Sequence, residues 1–278
     1  MSSADDELTV YFPGRSFPSV SVTGTRCDQM CGHCRGSHLR GMTDVSGAGE
    51  MMRAVNMLIS SGGNGLLVSG GCDANGSVPV AGYADQIRYA HENGLKVNVH
   101  TGFIRKEDAK LLVNAGVDVF SVDVHQDPAV IRNILNLDVP KSAYSDMLDN
   151  IMSAGGRLSP HLTAGFGTED MMMSAELVRS KGITEATLLV LVPTKGTVTE
   201  GSLISEDAVL DSVRMLMRTG LSVTLGCMRP RVHRGLEIRC IEAGVRRIAN
   251  PSLGTISWAK ENGFRVTEER TCCCIIRQ

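Results

Sequence analysis

The stretch Leu95 to His125, LKVNVHTGFIRKEDAKLLVNAGVDVFSVDVH, decides the fold class. Two short valine-rich runs, Lys96–His100 and Val117–Val122, flank a longer segment, Arg105–Ala115, whose apolar residues recur at helical spacing. Asn114-Ala115-Gly116 stands where that helix must end, because glycine accepts the left-handed C-cap that a Cβ resists. Strand, helix and strand in this order specify two parallel strands joined by a crossover helix.

The unit repeats. Further strands are expected at Ser19–Val22, Gly65–Ser69, Leu158–Ala164, Thr187–Val192, Ser222–Leu225 and Arg246–Ala249. Helical stretches between them include Glu50–Ser60, Tyr83–Asn93, Tyr144–Ala154, Met171–Ser180, Ser205–Thr219 and Gly235–Ala243. The same glycine punctuation recurs at Glu92-Asn93-Gly94, Ser153-Ala154-Gly155, Glu242-Ala243-Gly244 and Glu261-Asn262-Gly263. Eight strands in 278 residues predict an α/β fold, a (β/α)8 TIM-type barrel that is complete or nearly so. An open doubly wound sheet is the alternative. One domain is expected over residues 1–278, with an N-terminal extension at 1–17 and a cysteine-containing tail at 264–278 over the barrel mouth.

Composition narrows the function classes. Hydrophobic residues make up 42% and charged ones 21%, as in ordinary globular proteins. A net charge of −2 supplies no field for a nucleic acid or a membrane surface. Aromatics, at 4%, are too few for base-stacking platforms. Met1 to Glu7 is polar without a secretory pattern, and the apolar run Ala186–Val192 is too short to span a bilayer. The expectation is a cytoplasmic protein with neither nucleic-acid nor membrane partners. There, nine cysteines read as metal ligands rather than disulfides.

In a barrel of this kind the chemistry sits just after the strands. Cys27, Gly70-Gly71-Cys72, His100, Asp123, His125, Gly165-Phe166-Gly167, Pro193 to Thr197 and Cys227 all fall there. Cys27-x3-Cys31-x2-Cys34 occupies an irregular loop after the first predicted strand. Three thiolates at this spacing can hold one face of a 4Fe–4S cubane and leave its fourth iron open to another ligand. Zinc in a Cys3His set completed by His33 or His38 is the competing reading. Six cysteines remain. Cys240 reads as a small buried hydrophobe in a helix. The tail triplet Cys272-Cys273-Cys274, with Cys72 or Cys227, reads as ligands of a second, auxiliary iron–sulfur cluster.

Thr23 to Cys34 resembles the CxxxCxxC signature loop of the radical S-adenosylmethionine superfamily. The resemblance runs from about Pro18 to Cys274, and its biotin synthase-like character rests on Pro193-Thr194-Lys195-Gly196-Thr197, Cys227-Met228-Arg229-Pro230, Asn250-Pro251 and the cysteine triplet. Two positions depart from the superfamily: His33 replaces an aromatic beside the last cysteine, and Cys72 replaces the acid of a Gly-Gly-Glu turn. The resemblance implies a 4Fe–4S cluster on Cys27, Cys31 and Cys34 that reductively cleaves S-adenosylmethionine to a 5′-deoxyadenosyl radical. It implies S-adenosylmethionine contacts from His33, Gly70 and Gly71, with Asp123, and Ser121 on the same strand face, as candidates for the ribose. The sequence is also similar to one subunit of a two-protein lipoyl synthase. That similarity implies a sulfurtransferase that inserts sulfur into octanoyl-lysine on a carrier protein or peptide, with a second radical S-adenosylmethionine protein and an electron donor as partners. Lys195, Arg229 and Arg231 are candidates for the substrate or the auxiliary site. Another biotin synthase-like reaction, a methylase or mutase for example, and a non-catalytic metal-binding protein are the alternatives.

Overall fold

A computed structural model describes residues 7–276; the outermost parts of the expected extension and tail, residues 1–6 and 277–278, lie outside the described residues. One sheet contains eleven strands, all parallel. They are β1 (Glu7–Tyr11), β2 (Ser19–Ser21), β3 (Thr43–Asp44), β4 (Gly65–Ser69), β5 (Lys96–His100), β6 (Val119–Asp123), β7 (Leu158–Ala164), β8 (Glu185–Val190), β9 (Ser222–Leu225), β10 (Arg247–Ala249) and β11 (Arg265–Glu269). The helices are α1 (Glu50–Ser60), α2 (Ala84–Glu92), α3 (Lys106–Asn114), α4 (Ser142–Ser153), α5 (Thr168–Ser180), α6 (Glu206–Arg218), α7 (Leu236–Glu242) and α8 (Leu253–Glu261).

Local chemistry accounts for these elements. In α6, Ser205 caps the N-terminus by accepting from Ala208 N at 3.2 Å, Glu206 and Asp207 fill the first turn, and Val209, Leu210, Val213 and Leu216 make one buried stripe. Gly116 ends the α3 segment at φ 88°, the left-handed conformation expected of it. Strands β5 to β8 are buried on both faces, as parallel strands covered by helices must be.

All eight strands read from the sequence form, and they lie consecutively in the sheet from β2 through β4 to β10. The complete eight-stranded ladder does not. Strand β10 pairs with β1 rather than β2, and β11 pairs beyond β1, so the ladder runs open from β11 to β3. Side chains span the opening instead: Ser16 Oγ and Asn64 Nδ2, at the feet of β2 and β4, both donate to Arg270 O just beyond β11, at 3.1 and 3.0 Å. The sheet therefore curls into a barrel-like wall whose seam is not a ladder. Part of the expected N-terminal extension is thus a sheet strand, β1, with Leu8 and Val10 fully buried.

The tail is also placed differently from expectation. After β11 it turns inward rather than lying over the mouth, and Ile275 N–H donates to Cys272 O at 2.9 Å to close a turn. Cys273 and Cys274 are buried in a cluster with Tyr11, Val119 and Ala249. Arg157, just before β7, donates to Ile276 O at 3.0 Å. Val119 opens β6 and Arg157 precedes β7, so the tail packs low in the interior, beneath the C-terminal ends of the strands. Among the described residues no helix is long and apolar enough to cross a membrane.

Candidate metal and cofactor site

A cavity of about 480 Å³ lies inside the curled sheet, within the size range of small-molecule sites. Eight of the nine cysteines line it: Cys27, Cys31 and Cys34, then Cys72 and Cys227, then Cys272, Cys273 and Cys274. Cys240 is buried in α7, away from it. All nine are free thiols.

The cysteine loop after β2 has no regular structure of its own, so its shape must come from partners. Three other strand-end loops grip it. After β4, Cys72 O accepts from Asp28 N and Gln29 N at 2.8 and 3.3 Å, and Gly71 N donates to Thr23 Oγ1 at 2.7 Å. After β6, a π-helical turn ends at Ile134, whose carbonyl accepts from Gly32 N at 2.6 Å; Gln29 Nε2 donates to Leu135 O and Asn136 Nδ2 to Met30 O. After β8, Val198 N donates to Gly32 O at 3.0 Å and Thr199 Oγ1 to His33 O at 3.3 Å. The diglycine has a specific steric role here. A Cβ on Gly71 would lie 2.0 Å from Arg26 O and 2.6 Å from Cys27 Cα, so only glycine lets the loop seat against β4.

Within the loop, the ligand atoms of Cys31, His33 and Cys34 lie within 4.8 Å of one another. A hydrogen bond from Cys31 holds the Cys34 thiol well below its ordinary value, at about 4, with His33 acting in the same sense. Cys27 faces the same cavity from outside that tight group. His33 Nδ1 is buried without a hydrogen-bond partner, and its ring packs edge-on to Phe166 at 5.3 Å. Three thiols, an imidazole with one unpartnered nitrogen and adjoining space are a donor set that fits a metal–sulfur group with a small-molecule ligand.

The second thiol group lies on the floor. The sulfurs of Cys272, Cys273 and Cys274 also lie within 4.8 Å of one another. Polar side chains from the strands aim at them: Asn98 Nδ2 donates to Cys272 Sγ at 3.3 Å, and His161 Nε2 meets Cys274 Sγ at 3.4 Å. Hydrogen bonds from Cys272 and Cys273 outweigh burial and hold the Cys274 thiol far below its ordinary value. Burial alone would lower His161, but Cys274 and Asp123 override it and push the imidazole up to about 10. His100 packs edge-on to His161 at 5.0 Å, and burial together with its neighbour lowers it to about 4.

The other expected site residues divide. Asp123 ends β6 with its side chain about half open to the cavity and Oδ1 at 3.7 Å from His161 Nδ1. Ser121 lines the cavity but commits its hydroxyl to Asn98 Oδ1 at 2.9 Å. Gly70 and Gly71 both line it. Arg229 does not: it is buried in an ion pair with Glu237 and donates to Gly226 O and Asn250 O, so its charge is spent inside the fold. Arg231, bonded to Asn250 O and Cys227 O, and the exposed Lys195 also lie outside the cavity lining. Cys72 belongs spatially to the loop rather than to the tail, through its carbonyl contacts, and Cys227 is exposed. His125 lines the cavity and is anchored from behind. Its Nδ1 lies 2.8 Å from Asp170 Oδ2, and the backbone N–H groups of Gln126 and Asp127 complete that carboxylate's partners. Asn98 joins the site with no motif to mark it; its signal in the sequence is a polar side chain in an apolar strand, two residues from His100 and therefore on the same face.

No family model and no curated protein matches this sequence. Solved structures do share the fold. HydG, a maturase of the FeFe-hydrogenase, aligns at TM-score 0.65 and 18% identity, over 94% of this chain and 64% of that one. Methylornithine synthase (PylB) aligns at TM-score 0.66 and 12% identity, over 94% of this chain and 84% of that one. SuiB of Streptococcus suis, bound to S-adenosylmethionine, aligns at TM-score 0.60 and 9% identity, over 80% of this chain and 52% of that one. This chain therefore spans about two thirds of the HydG chain and half of SuiB. At these identities the likeness is one of fold.

Proposed function

We propose that the chain is a radical S-adenosylmethionine enzyme of the biotin synthase-like group, acting as a sulfurtransferase. The observation that carries the reading is the gripped loop bearing Cys27, Cys31 and Cys34 at one cavity with a second thiol triplet on its floor. A fold-level neighbour bound to S-adenosylmethionine supports the choice of ligand. When bound, a 4Fe–4S cluster on the loop thiolates would supply the electron that cleaves S-adenosylmethionine to a 5′-deoxyadenosyl radical.

The chain's own residues do the rest. Loops after β4, β6 and β8 fix the positions of the three thiols. Gly70 and Gly71, which line the cavity beside the loop, present their backbone to the methionine end of the ligand. Asp123 takes the ribose hydroxyls through Oδ2, since Oδ1 faces His161. His33 and Phe166 form an aromatic wall near the last cysteine for the adenine. The tail triplet holds an auxiliary iron–sulfur centre, the sulfur source, and the substrate is octanoyl-lysine on a carrier protein or peptide. A second radical S-adenosylmethionine protein and an electron donor are its partners, in the cytoplasm.

Anaerobic reconstitution with iron and sulfide, then S-adenosylmethionine and dithionite, tests the first part: 5′-deoxyadenosine forms, and its absence overturns the enzyme reading. Adding an octanoyl-lysine peptide, with and without candidate partner proteins, tests the second by mass gain of sulfur. The convergence of Cys31, His33 and Cys34 within 4.8 Å favours one competing reading, a non-catalytic single-metal site. It predicts stoichiometric zinc and no 5′-deoxyadenosine.

A further inference from the structure

We propose that His161 is the fourth protein ligand of the metal centre on Cys272, Cys273 and Cys274, and that Asp123 is the carboxylate that positions it. The inference rests on the reading of the tail triplet as a metal site and names a ligand that the cysteine pattern alone does not contain.

Three thiols leave one position of a four-ligand centre to be filled, and four cysteines are not grouped on this floor. Cys72 and Cys227, the remaining cysteines at the cavity, are not grouped with the triplet's sulfurs. What faces the triplet is His161. It projects from the middle of β7, is 6% exposed, and brings Nε2 to 3.4 Å from Cys274 Sγ. The two atoms, in hydrogen-bond contact here, are near enough to serve one centre: roughly 3.6 Å separates S and N ligands on a single tetrahedral ion, and on a cluster, where each ligand binds its own iron, Nε2 and Sγ would part around it.

The other ring nitrogen supports this assignment. His161 Nδ1 is buried and makes no hydrogen bond, yet it points at Asp123 Oδ1, 3.7 Å away. Ligating histidines characteristically present the second nitrogen to a carboxylate, which fixes the tautomer and ring direction and makes the ligating nitrogen more basic. Carboxylate, imidazole and thiol group thus stand in that order from the end of β6, across β7, to the tail. Asn98 and Thr187 surround the sulfurs with polar groups, as the outer contacts of a charged centre require: Asn98 Nδ2 donates to Cys272 Sγ at 3.3 Å, and Thr187 Oγ1 lies 3.9 Å from Cys274 Sγ. Asp123 then serves two neighbours, with Oδ1 toward His161 and Oδ2 toward the cavity.

The test uses the full chain carrying Cys27→Ser, Cys31→Ser and Cys34→Ser, reconstituted anaerobically with iron and sulfide and reduced with dithionite in the absence of S-adenosylmethionine. Iron and sulfide are counted, and pulsed EPR reads nitrogen coupling at the centre. The expected result is a bound centre with a 14N coupling that becomes a 15N pattern on 15N-histidine labelling. His161→Ala loses the coupling and at least severalfold of the iron. His161→Cys keeps the iron without the nitrogen, whereas His100→Phe keeps both. Asp123→Asn keeps the coupling and raises the reduction potential, which a merely structural role would not do. A centre of full iron content with no histidine coupling overturns the ligand while leaving the tail centre standing. No iron in a variant whose circular dichroism is unchanged overturns both. Should the triple-serine chain fail to fold, the same His161→Ala difference is read in the wild-type chain, where a nitrogen coupling identical in both proteins overturns the proposal.

Discussion

At the scale of single residues, Gly71 shows how a cysteine loop depends on a residue that carries no chemistry. The sequence marks Gly70-Gly71 as a place of close backbone approach. What approaches is not legible there, because the contact joins positions far apart in the chain: Gly71 receives Arg26 and Cys27. An alanine at Gly71 must push the loop away, at an overpacking cost of about 1–3 kcal/mol. Gly71→Ala should fall severalfold in iron bound at the loop, read on the reconstituted chain, and lose a few degrees of melting temperature, at about 2–4 °C per kcal/mol. Gly82→Ala, where a Cβ meets nothing within 4 Å, should keep both. Equal iron in the two variants would remove the packing role. Arg229 is the opposite case. Its type and position beside Cys227 suggested a cavity-facing cation, whereas Glu237, a residue eight further on in α7, holds it inside the fold. The identity of the residue was legible, but its direction was set by packing.

Among elements, strand-end loops divide the work. The loop after β2 supplies thiols, and those after β4, β6 and β8 supply the backbone bonds that shape it. The Pro193-to-Thr197 motif resembles a family turn and carries Lys195 as its candidate residue. Its physical contribution lies just beyond, where Val198 N and Thr199 Oγ1 bind Gly32 O and His33 O. Thr199→Val keeps the shape and deletes one donor. One buried hydrogen bond contributes about 1 kcal/mol, so S-adenosylmethionine should bind roughly fivefold more weakly to the reconstituted protein, as measured by equilibrium dialysis. Unchanged affinity would mean that the turn only packs against the loop.

For the whole molecule, the eight predicted strands were legible because parallel strands buried on both faces are continuous apolar runs. The seam was not. Strand β11 has no fully buried residue and a single apolar one, so Arg265-Val266-Thr267-Glu268-Glu269 carries little apolar signal, and β3 is only two residues, both exposed. Strand β1, with alternating Leu8 and Val10, carried a signal but follows a polar, acidic start. Reading the two ends as extension and tail therefore missed that both complete the wall, and that the tail then folds inside it. Integration of the tail makes a prediction about separable functions. A chain ending at Arg270 keeps β11 and the three gripping loops but loses Cys272 to Cys274 and the Arg157 bond to Ile276 O. It also uncovers Tyr11, Val119 and Ala249, which the buried tail now covers. Such a chain should melt several degrees lower yet still fold, because the large core lies elsewhere and involves none of the three tail cysteines. On reconstitution it should hold the loop centre alone and still form 5′-deoxyadenosine, while sulfur transfer to an octanoyl-lysine peptide is lost. Iron per chain, deoxyadenosine formed and peptide mass read these outcomes separately. Sulfur insertion persisting in the truncated chain would show that the floor thiols are not its source. Loss of deoxyadenosine in a folded chain would show that the two thiol groups form one inseparable site.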